Sequence, residues 1–498
     1  MVIIPFFTIL PLLGAFIIYL CGRRSKLFTD IFANITTFVL SLLSLVILFL
    51  NPFQPILYKV GGWLPPWGIT LVVDGLTRFM LITVNFIAWT ITLFSVNYME
   101  KFTSKYKFYT LFLFMLAGMN GLLISGDIFN VFVFLEIASV ASYALVAYGV
   151  EAEELEASFK YLVMSSFASL CILLGIALLY SYTSTLNIAD MGAVLSEKGI
   201  VPVVIFSAVL FFLGVGLKSA IVPFHAWLPD AHPSAPAPIS ATLSGVLIKT
   251  LGVYLLLRIF YNLLGVSQVF LNILMFLGVL SIMVGVIMAI SQMDIKRLLA
   301  YHSISQIGYI ILGIGLGTPL GILGGLFHLF NHSVFKSLLF LNSGAIEYTI
   351  GTRELSKMGG LRKNMPITGG TSLIASLSIS GIPPFNGFFS KLLIIIACIQ
   401  RGYVGYAIWA IIGSILTLSS FMKVQKFAFF GRLNPLYKEV KEVPIFMKTA
   451  MVILSIICIL SGGMLIPYLN NYLLLPAQKV ILGGLDYKNI NESISNEK

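Results

Sequence analysis

The sequence predicts an all-α polytopic membrane protein with about fourteen transmembrane helices, including two inverted five-helix repeats that each contain a broken helix. Three observations predict this class. Apolar runs long enough to cross a bilayer recur from end to end of the 498 residues, of which 58% are hydrophobic and 10% charged, with a mean hydropathy of +0.98. The basic residues collect in short loops that alternate between the two sides of those runs. Two of the runs are interrupted by proline close to a lysine, at Lys218–Pro223 and at Pro383–Lys391, although helix breaking and charge burial are both costly in a bilayer.

Allowing roughly 20 apolar residues per span, helices are expected at 2–21, 28–50, 71–99, 107–125, 127–150, 157–182, 201–228, 238–263, 266–291, 295–316, 319–345, 366–401, 404–430 and 444–468. The first run has no basic segment ahead of it and no small-residue cleavage site, so it reads as a retained helix and not as a signal peptide. Residues 51–70 and 183–200 read as the longer outer loops; Trp63, Pro65, Pro66 and Trp67 in the former suit an interfacial aromatic belt. The final stretch, 470–498, turns polar and reads as a short external tail. The organisation expected is N-terminal transmembrane helices over 1–106, a first five-helix repeat over 107–263 broken near Pro223, a second over 264–430 broken near Pro383, and a last helix with the tail over 431–498. An odd number of helices per unit inverts one unit relative to the other. The echo is imperfect, because the lysine precedes the break in one unit and follows it in the other.

The net charge of +11 sets orientation. Arg23, Arg24 and Lys26 follow the first span, and Lys101, Lys105 and Lys107 the third. Lys296 and Arg297 follow the ninth, and Arg353, Lys357, Arg362 and Lys363 the eleventh, while Arg432, Lys438, Lys441 and Lys448 lie between the last two. All these loops fall on one side, expected to be cytoplasmic, which puts both termini outside a prokaryotic cell membrane. The opposite loops carry scattered basic residues such as Lys59, Lys198, Arg258 and Arg401. No basic stripe interleaved with exposed aromatics suggests nucleic acid; the partner of this surface is the lipid bilayer. Cys21, Cys171, Cys398 and Cys458 have no ligand spacing, so neither a disulfide framework nor an iron–sulfur or zinc cysteine site is expected. No phosphate-binding glycine loop or Ser/His/Asp arrangement is recognisable either. No catalytic residue and no cofactor are therefore expected in this chain.

The ionisable residues inside apolar spans are Glu136, Lys218, Lys249, Lys336 and Lys391, with His225, His302, His328 and His332. In hydrocarbon a charged side chain costs several kcal/mol, so such residues face the bundle interior, pair, or line water. A set of titratable groups spaced across the membrane is what a proton path needs; the competing structural reading is buried ion pairs and snorkelling side chains. Glu136 has no basic neighbour in sequence, and Lys218 is its expected partner from another helix, with Lys249 next along the path and Lys391 the terminal group of the second unit. His328, His332 and Lys336 recur every four residues and share a helix face. The His-x-x-x-His spacing could ligate zinc but lacks a third ligand, so a relay or a structural hydrogen bond is expected there, with no metal. His302 suits an interhelical hydrogen bond or the relay. His225, just past the break, suits bonding of freed carbonyls. Asp127 and Asp230 suit capping or interfacial roles, and Glu151, Glu153, Glu154 and Glu156 a solvated helix N-terminus.

GDIFNVFVFLEIASVASYAL, KSAIVPFHAWLPDAHPSAPAPISA, DIKRLLAYHSISQIGYIILG and SGIPPFNGFFSK, in this order, resemble the antiporter-like membrane subunits of respiratory complex I and its relatives over residues 70–430. The resemblance implies about fourteen helices, inverted repeats and a central hydrophilic axis. It makes Glu136 the glutamate of the fifth helix, Lys218 the lysine of the broken seventh, Lys249 the lysine of the eighth and Lys391 the charged residue of the broken twelfth. Within the family the chain is similar to the D-type component of Mrp sodium/proton antiporters, and to the large antiporter-like subunit of energy-converting membrane-bound hydrogenases and related sulfur reductases. GVEAEELEASFKYLVM leans towards the hydrogenase-linked branch.

The function this implies is a proton-translocating subunit of a multisubunit, redox-driven ion pump. Electron chemistry would lie in peripheral partners with iron–sulfur clusters and nickel–iron, beside small Mrp-like subunits and a second antiporter-like subunit. Two alternatives stand beside it: the D-type component of an Mrp sodium/proton antiporter without redox chemistry, and a structural membrane scaffold.

Overall fold

A serine, threonine, aspartate or asparagine stands just before many of the helices, and its side chain takes up a backbone N–H of the first turn. In the computed structural model, which describes residues 3–483, the helices are α1 (Phe6–Cys21), α2 (Lys26–Phe49), α3 (Gly75–Tyr98), α4 (Lys105–Ile124), α5 (Ile128–Val146) and α6 (Ala152–Thr183). There follow α7 (Ile188–Lys198), α8 (Pro202–Ser219), α9 (Leu228–Ser234), α10 (Ala237–Leu263), α11 (Gln268–Ser291), α12 (Ile295–Gly315) and α13 (Pro319–Ile350). The last are α14 (Pro366–Ser380), α15 (Asn386–Gln400), α16 (Val404–Phe430), α17 (Ile445–Leu465), α18 (Pro467–Asn470) and α19 (Leu474–Leu482). Ser25, Asp74, Asp127, Asn187, Ser267, Asp294 and Thr318 are the side-chain caps, and Glu151 with Glu154 forms a capping box on α6.

Eleven described helices are long and apolar enough to cross a membrane, and α1 and α15 are shorter apolar ones. Each expected span contains helix. The burial pattern sorts the helices into layers. Every residue of α10 is buried, as is every residue of α12 except Arg297 and most of α13. By contrast α2, α6, α11 and α16 turn large apolar side chains outward, as helices facing lipid do. Small residues let the backbones close up: a Cβ at Gly278 would meet the backbone of Leu312, and one at Gly214 the carbonyl of Ala168.

The basic loops meet on one face. There Lys101 donates to the Tyr348 carbonyl, the backbones of Asp294 and Glu354 pair, and Lys160 and Arg297 both reach Asp230. The opposite face holds the ends near Ser125, Asn187 and Pro319 and both ends of the described chain.

Several details differ from the sequence expectation. Residues 183–200, read as an outer loop, hold α7, which Asn187 caps. Residues 51–70 do not form a plain loop: β1 (Ile56–Lys59) and β2 (Thr70–Val73) pair antiparallel, so the third span starts only at Gly75. Trp63 and Trp67 remain exposed between them. The 470–498 stretch is not all tail, because α19 buries Leu474, Ala477 and Ile481 and bonds to the core through Asn262 and Gln478; residues 484–498 lie outside those described. Arg258 is not a loop residue but sits inside α10, where it is buried.

Candidate functional site

The first break follows from residue geometry. α8 ends where Ala220 takes a left-handed conformation (φ 54°), and the N–H groups of Ala220 and Ile221 turn back to the carbonyls of Leu217 and Gly216, both at 3.2 Å. Pro223 follows and has no N–H to continue a helix. The Leu217 carbonyl also accepts from the Trp227 indole at 3.0 Å, and Val222 N–H donates to Ser281 Oγ at 3.0 Å. Trp227 thus bonds one carbonyl freed by the break, its long arm reaching back over the turn, and His225 lies by the backbone of Pro223. His225 lies half-buried in the loop with Nδ1 unpartnered.

The second break repeats the first residue for residue. α14 ends at Gly381 (φ 76°), and the N–H groups of Gly381 and Ile382 turn back to Ser378 and Leu377, both at 3.1 Å. Gly381, Ile382, Pro384 and Phe385 therefore stand where Ala220, Ile221, Pro223 and Phe224 stand, with Pro383 in the place of Val222. α8 reaches its break from the non-basic face, α14 from the basic one.

Lys218 and Lys391 occupy matching places in these breaks. Lys218 lies in the last turn of α8, where the exposed carbonyl ends of a helix favour a cation. Lys391 follows its break, yet its Nζ reaches back to the Ile379 carbonyl at 2.7 Å, in the last turn of α14, and to Ser414 Oγ at 3.2 Å. It also lies 4.6 Å from the Tyr309 ring centre. The imperfect sequence echo thus brings a lysine to the end of each half-helix, Lys218 by its place in the chain and Lys391 by its reach.

Lys218 does not contact Glu136 directly. Its Nζ donates to Ser139 Oγ at 2.9 Å and Ser165 Oγ at 2.5 Å, and Tyr143 also donates to Ser165 at 2.7 Å. Ser169, one turn along α6 from Ser165, donates to the half-buried Glu136 carboxylate. The ion pair read from sequence is therefore not a contact pair: Lys218 is held by Ser139 and Ser165, and Glu136 by Ser169 one turn away. Hydroxyls fit here because each both donates and accepts. A small cavity lined by Ser165, Lys218, Trp227, Leu247 and Leu251 leads from Lys218 towards α10.

Lys249 is wholly buried in α10, at the start of a stretch with i→i+5 turns, and its Nζ donates to the carbonyls of Ser244 (2.5 Å) and Gly245 (2.7 Å) in its own preceding turn. Such wide turns recur at functional sites. Lys336 on α13 is equally buried; it donates to the Leu299 carbonyl at 2.5 Å and lies 5.5 Å from the Phe340 ring. His332, one turn earlier on the same face, has both ring nitrogens buried without a protein partner. His328 lies 6.4 Å from it, centre to centre, with Nδ1 on Ser390 Oγ (2.9 Å) and Nε2 on Gln306 Oε1 (3.1 Å). Tyr309, 5.5 Å from His328, connects to Lys391. His302 stands to one side, its Nε2 on Ser420 Oγ at 2.8 Å; it forms an interhelical hydrogen bond between α12 and α16.

The structure adds residues that sequence reasoning passed over. His232 in α9 is fully buried with both nitrogens unpartnered, its ring 4.8 Å from Phe340 and within reach of the charges of Lys336, Lys249 and Lys296. Its signal was its place in PDAHPSAP, beside a proline. Lys296, read as an orientation signal, is 2% exposed and buried in the first turn of α12. Asp127 caps α5 as expected. Ring nitrogens buried without a protein partner call for water, as buried polar groups in folded interiors are otherwise bonded.

Residues 125–418 match the family model described as NADH:quinone oxidoreductase/Mrp antiporter, TM, and residues 65–109 match that of NADH-Ubiquinone oxidoreductase (complex I), chain 5 N-terminus. The N subunit of NADH-quinone oxidoreductase from Desulforudis audaxviator is 37% identical over 397 residues, 78% of this chain and 79% of the relative. The D-type component of the Na(+)/H(+) antiporter from Alkalihalophilus pseudofirmus is 37% identical over 375 residues, 75% and 76% of the two chains. Among solved structures, a chain of the Mrp complex from Dietzia sp. superposes with a TM-score of 0.90 at 27% identity, covering 99% of both chains. A chain of the membrane-bound sulfane sulfur reductase, an archaeal respiratory membrane complex, superposes with a TM-score of 0.88 at 30% identity, covering 96% of this chain and 97% of that one.

Proposed function

Because the chain belongs to the family of antiporter-like membrane subunits shared by NADH:quinone oxidoreductase and the Mrp antiporters, we propose that it carries protons along the buried axis just described. The observation that supports this most is the line of wholly or almost wholly buried ionisable side chains, Lys218, Lys249, Lys336, His332, His328 and Lys391, between one helix break and the other. A buried amine or imidazole binds its proton with an affinity that nearby charges move. Glu136 acts on Lys218 by its charge, and Lys249 and Lys336 act on one another as like charges. A displacement at one end therefore changes proton affinity step by step towards Lys391. His225 and His302 flank this path.

The first reading of the engine is electron transfer in partner subunits bearing iron–sulfur clusters and nickel–iron, which the likeness to the N subunit of NADH-quinone oxidoreductase and to the sulfane sulfur reductase supports. The second is sodium/proton exchange in an Mrp-type assembly, which the likeness to the D-type antiporter component and to the Mrp complex supports. Mass spectrometry of the intact complex separates them: redox subunits for the first, only small membrane subunits and a second antiporter-like subunit for the second. The basic face is cytoplasmic in this reading, with both termini outside.

The test of transport itself is Lys218→Ala and Glu136→Ala in complexes reconstituted into vesicles. Loss of proton pumping with assembly intact supports the reading. Unchanged pumping would leave the chain a scaffold.

A further inference from the structure

The basic face opens into a polar cavity of about 960 Å³ whose walls include Glu151, Glu153, Glu154, Glu347, Lys296 and Arg353. Lys296 and Glu347, both in its wall, pair with one another beside the segment 233–236 that also lines it. Lys296 Nζ lies 2.8 Å from Glu347 Oε2, itself buried, and donates to the Ala235 carbonyl at 3.1 Å. Glu347 is shared: its other oxygen is 3.7 Å from Arg353 Nε, and Arg353 in turn lies 3.3 Å from Asp294 and bonds the Pro233 carbonyl. Pro233 and Ala235 belong to the short segment that holds His232. Behind the pair, His232 has two unpartnered nitrogens, and its charged neighbours besides Lys296 are Lys249 and Lys336. The sequence treats Lys296 only as a mark of sidedness, and the axis as built does not use Glu347 at all.

We propose that Lys296 and Glu347 form a gate between the basic-face cavity and the axis, with His232 as the first axis group behind it. Closed, the pair stands in the cavity wall and sets a carboxylate against the buried Lys296 ammonium, a charge that would be costly to bury alone. Glu347 has a second cation within reach in Arg353, so it can leave Lys296 without losing a partner. That shift frees the Lys296 ammonium, loosens its hold on the Ala235 carbonyl, and exposes His232 to the cavity. The gate rests on the proton-carrying reading for its purpose, but its opening is a local event that can be read separately.

The test is chemical access to position 232. In the whole complex in sealed membrane vesicles, with Cys21→Ser removing the exposed thiol, a His232→Cys variant is treated from the basic face with a small charged methanethiosulfonate. The thiol should be protected while the pair is intact. It should react about tenfold faster or more when Glu347→Gln removes half of the pair, and Glu347→Asp should restore much of the protection. Lys296→Gln is the second variant, should the first not assemble, and should act in the same direction. Equal rates with and without the intact pair, whether both slow or both fast, overturn the gate. Because labelling needs no pumping, a failed transport test with Lys218→Ala and a failed gate give different results.

Discussion

Lys391 Nζ donates to the Ile379 carbonyl at 2.7 Å across the second helix break, so a lysine placed after the break puts its charge in the last turn before it. Lys218 belongs to the last turn before its own break. Each break sets a lysine beside the end of a half-helix, but the ammonium groups are held differently: Lys391 by a carbonyl of that end, Lys218 by the hydroxyls of Ser139 and Ser165.

That correspondence predicts opposite effects for two small changes. Ala220 and Gly381 both terminate a half-helix with positive φ, which costs a residue with a Cβ about 1–2 kcal/mol. Ala220→Gly should stabilise the protein by about 1 kcal/mol or less. Gly381→Ala should destabilise it by about 1 kcal/mol or more, since its Cβ would also stand 3.1 Å from Lys391 Cδ. Thermal unfolding of the purified complex compares them, and equal shifts of one sign would contradict the shared geometry.

Ser165 and Ser169 are expected to matter for transport more than for stability. Ser165→Ala removes one of the two hydroxyls on Lys218, and Ser169→Ala removes the donor to Glu136. Each loss of a hydrogen bond to a charged group is worth about 1.5–3 kcal/mol, or roughly ten- to a hundredfold in the pumping rate of vesicles. A direct Glu136–Lys218 contact would make both changes nearly silent.

Arg258 and Asp74 form a buried pair at 2.6 Å that ties α10 to the start of α3, with Thr77 and Asn262 completing the bonds. Asp74→Asn or Arg258→Met alone should destabilise the fold by about 3–5 kcal/mol. The double change should recover most of that. Denaturation of the four proteins in detergent reads the coupling, and strictly additive losses would rule out the pair as the cause.

Gly245 packs against Ser337 where α10 crosses α13, beside Lys249. Gly245→Ala should cost about 1–3 kcal/mol by displacing the Ser337 hydroxyl from the Ala241 carbonyl, and Ser337→Gly should relieve the clash. Because Lys249 bonds the Gly245 carbonyl, proton transport should fall and recover with stability in the same pair of variants.

Much of this site was legible in the chain. An ionisable side chain within an apolar run advertises itself, so Lys218, Lys249, Lys336, Lys391, His328 and His332 could be found from hydropathy alone. Serine does not advertise itself, because it is common in helices of every kind, and the hydroxyls that hold Lys218 and Glu136 were therefore invisible. Lys296 was hidden for the opposite reason: it sits in a basic cluster where the rule for orientation already accounts for it.

Amino-acid order alone decided the helical class, the rough position of the spans, the two breaks and the identity of the buried charges. It could do so because the bilayer punishes polar groups so heavily that few patterns survive. Three-dimensional packing decided who touches whom: that Trp227 bonds the Leu217 carbonyl, that Lys218 and Glu136 are held by separate serines, and that Lys391 folds back onto Ile379. Those choices depend on side-chain reach of a few ångströms between helices far apart in sequence, and no local pattern along the chain encodes such distances.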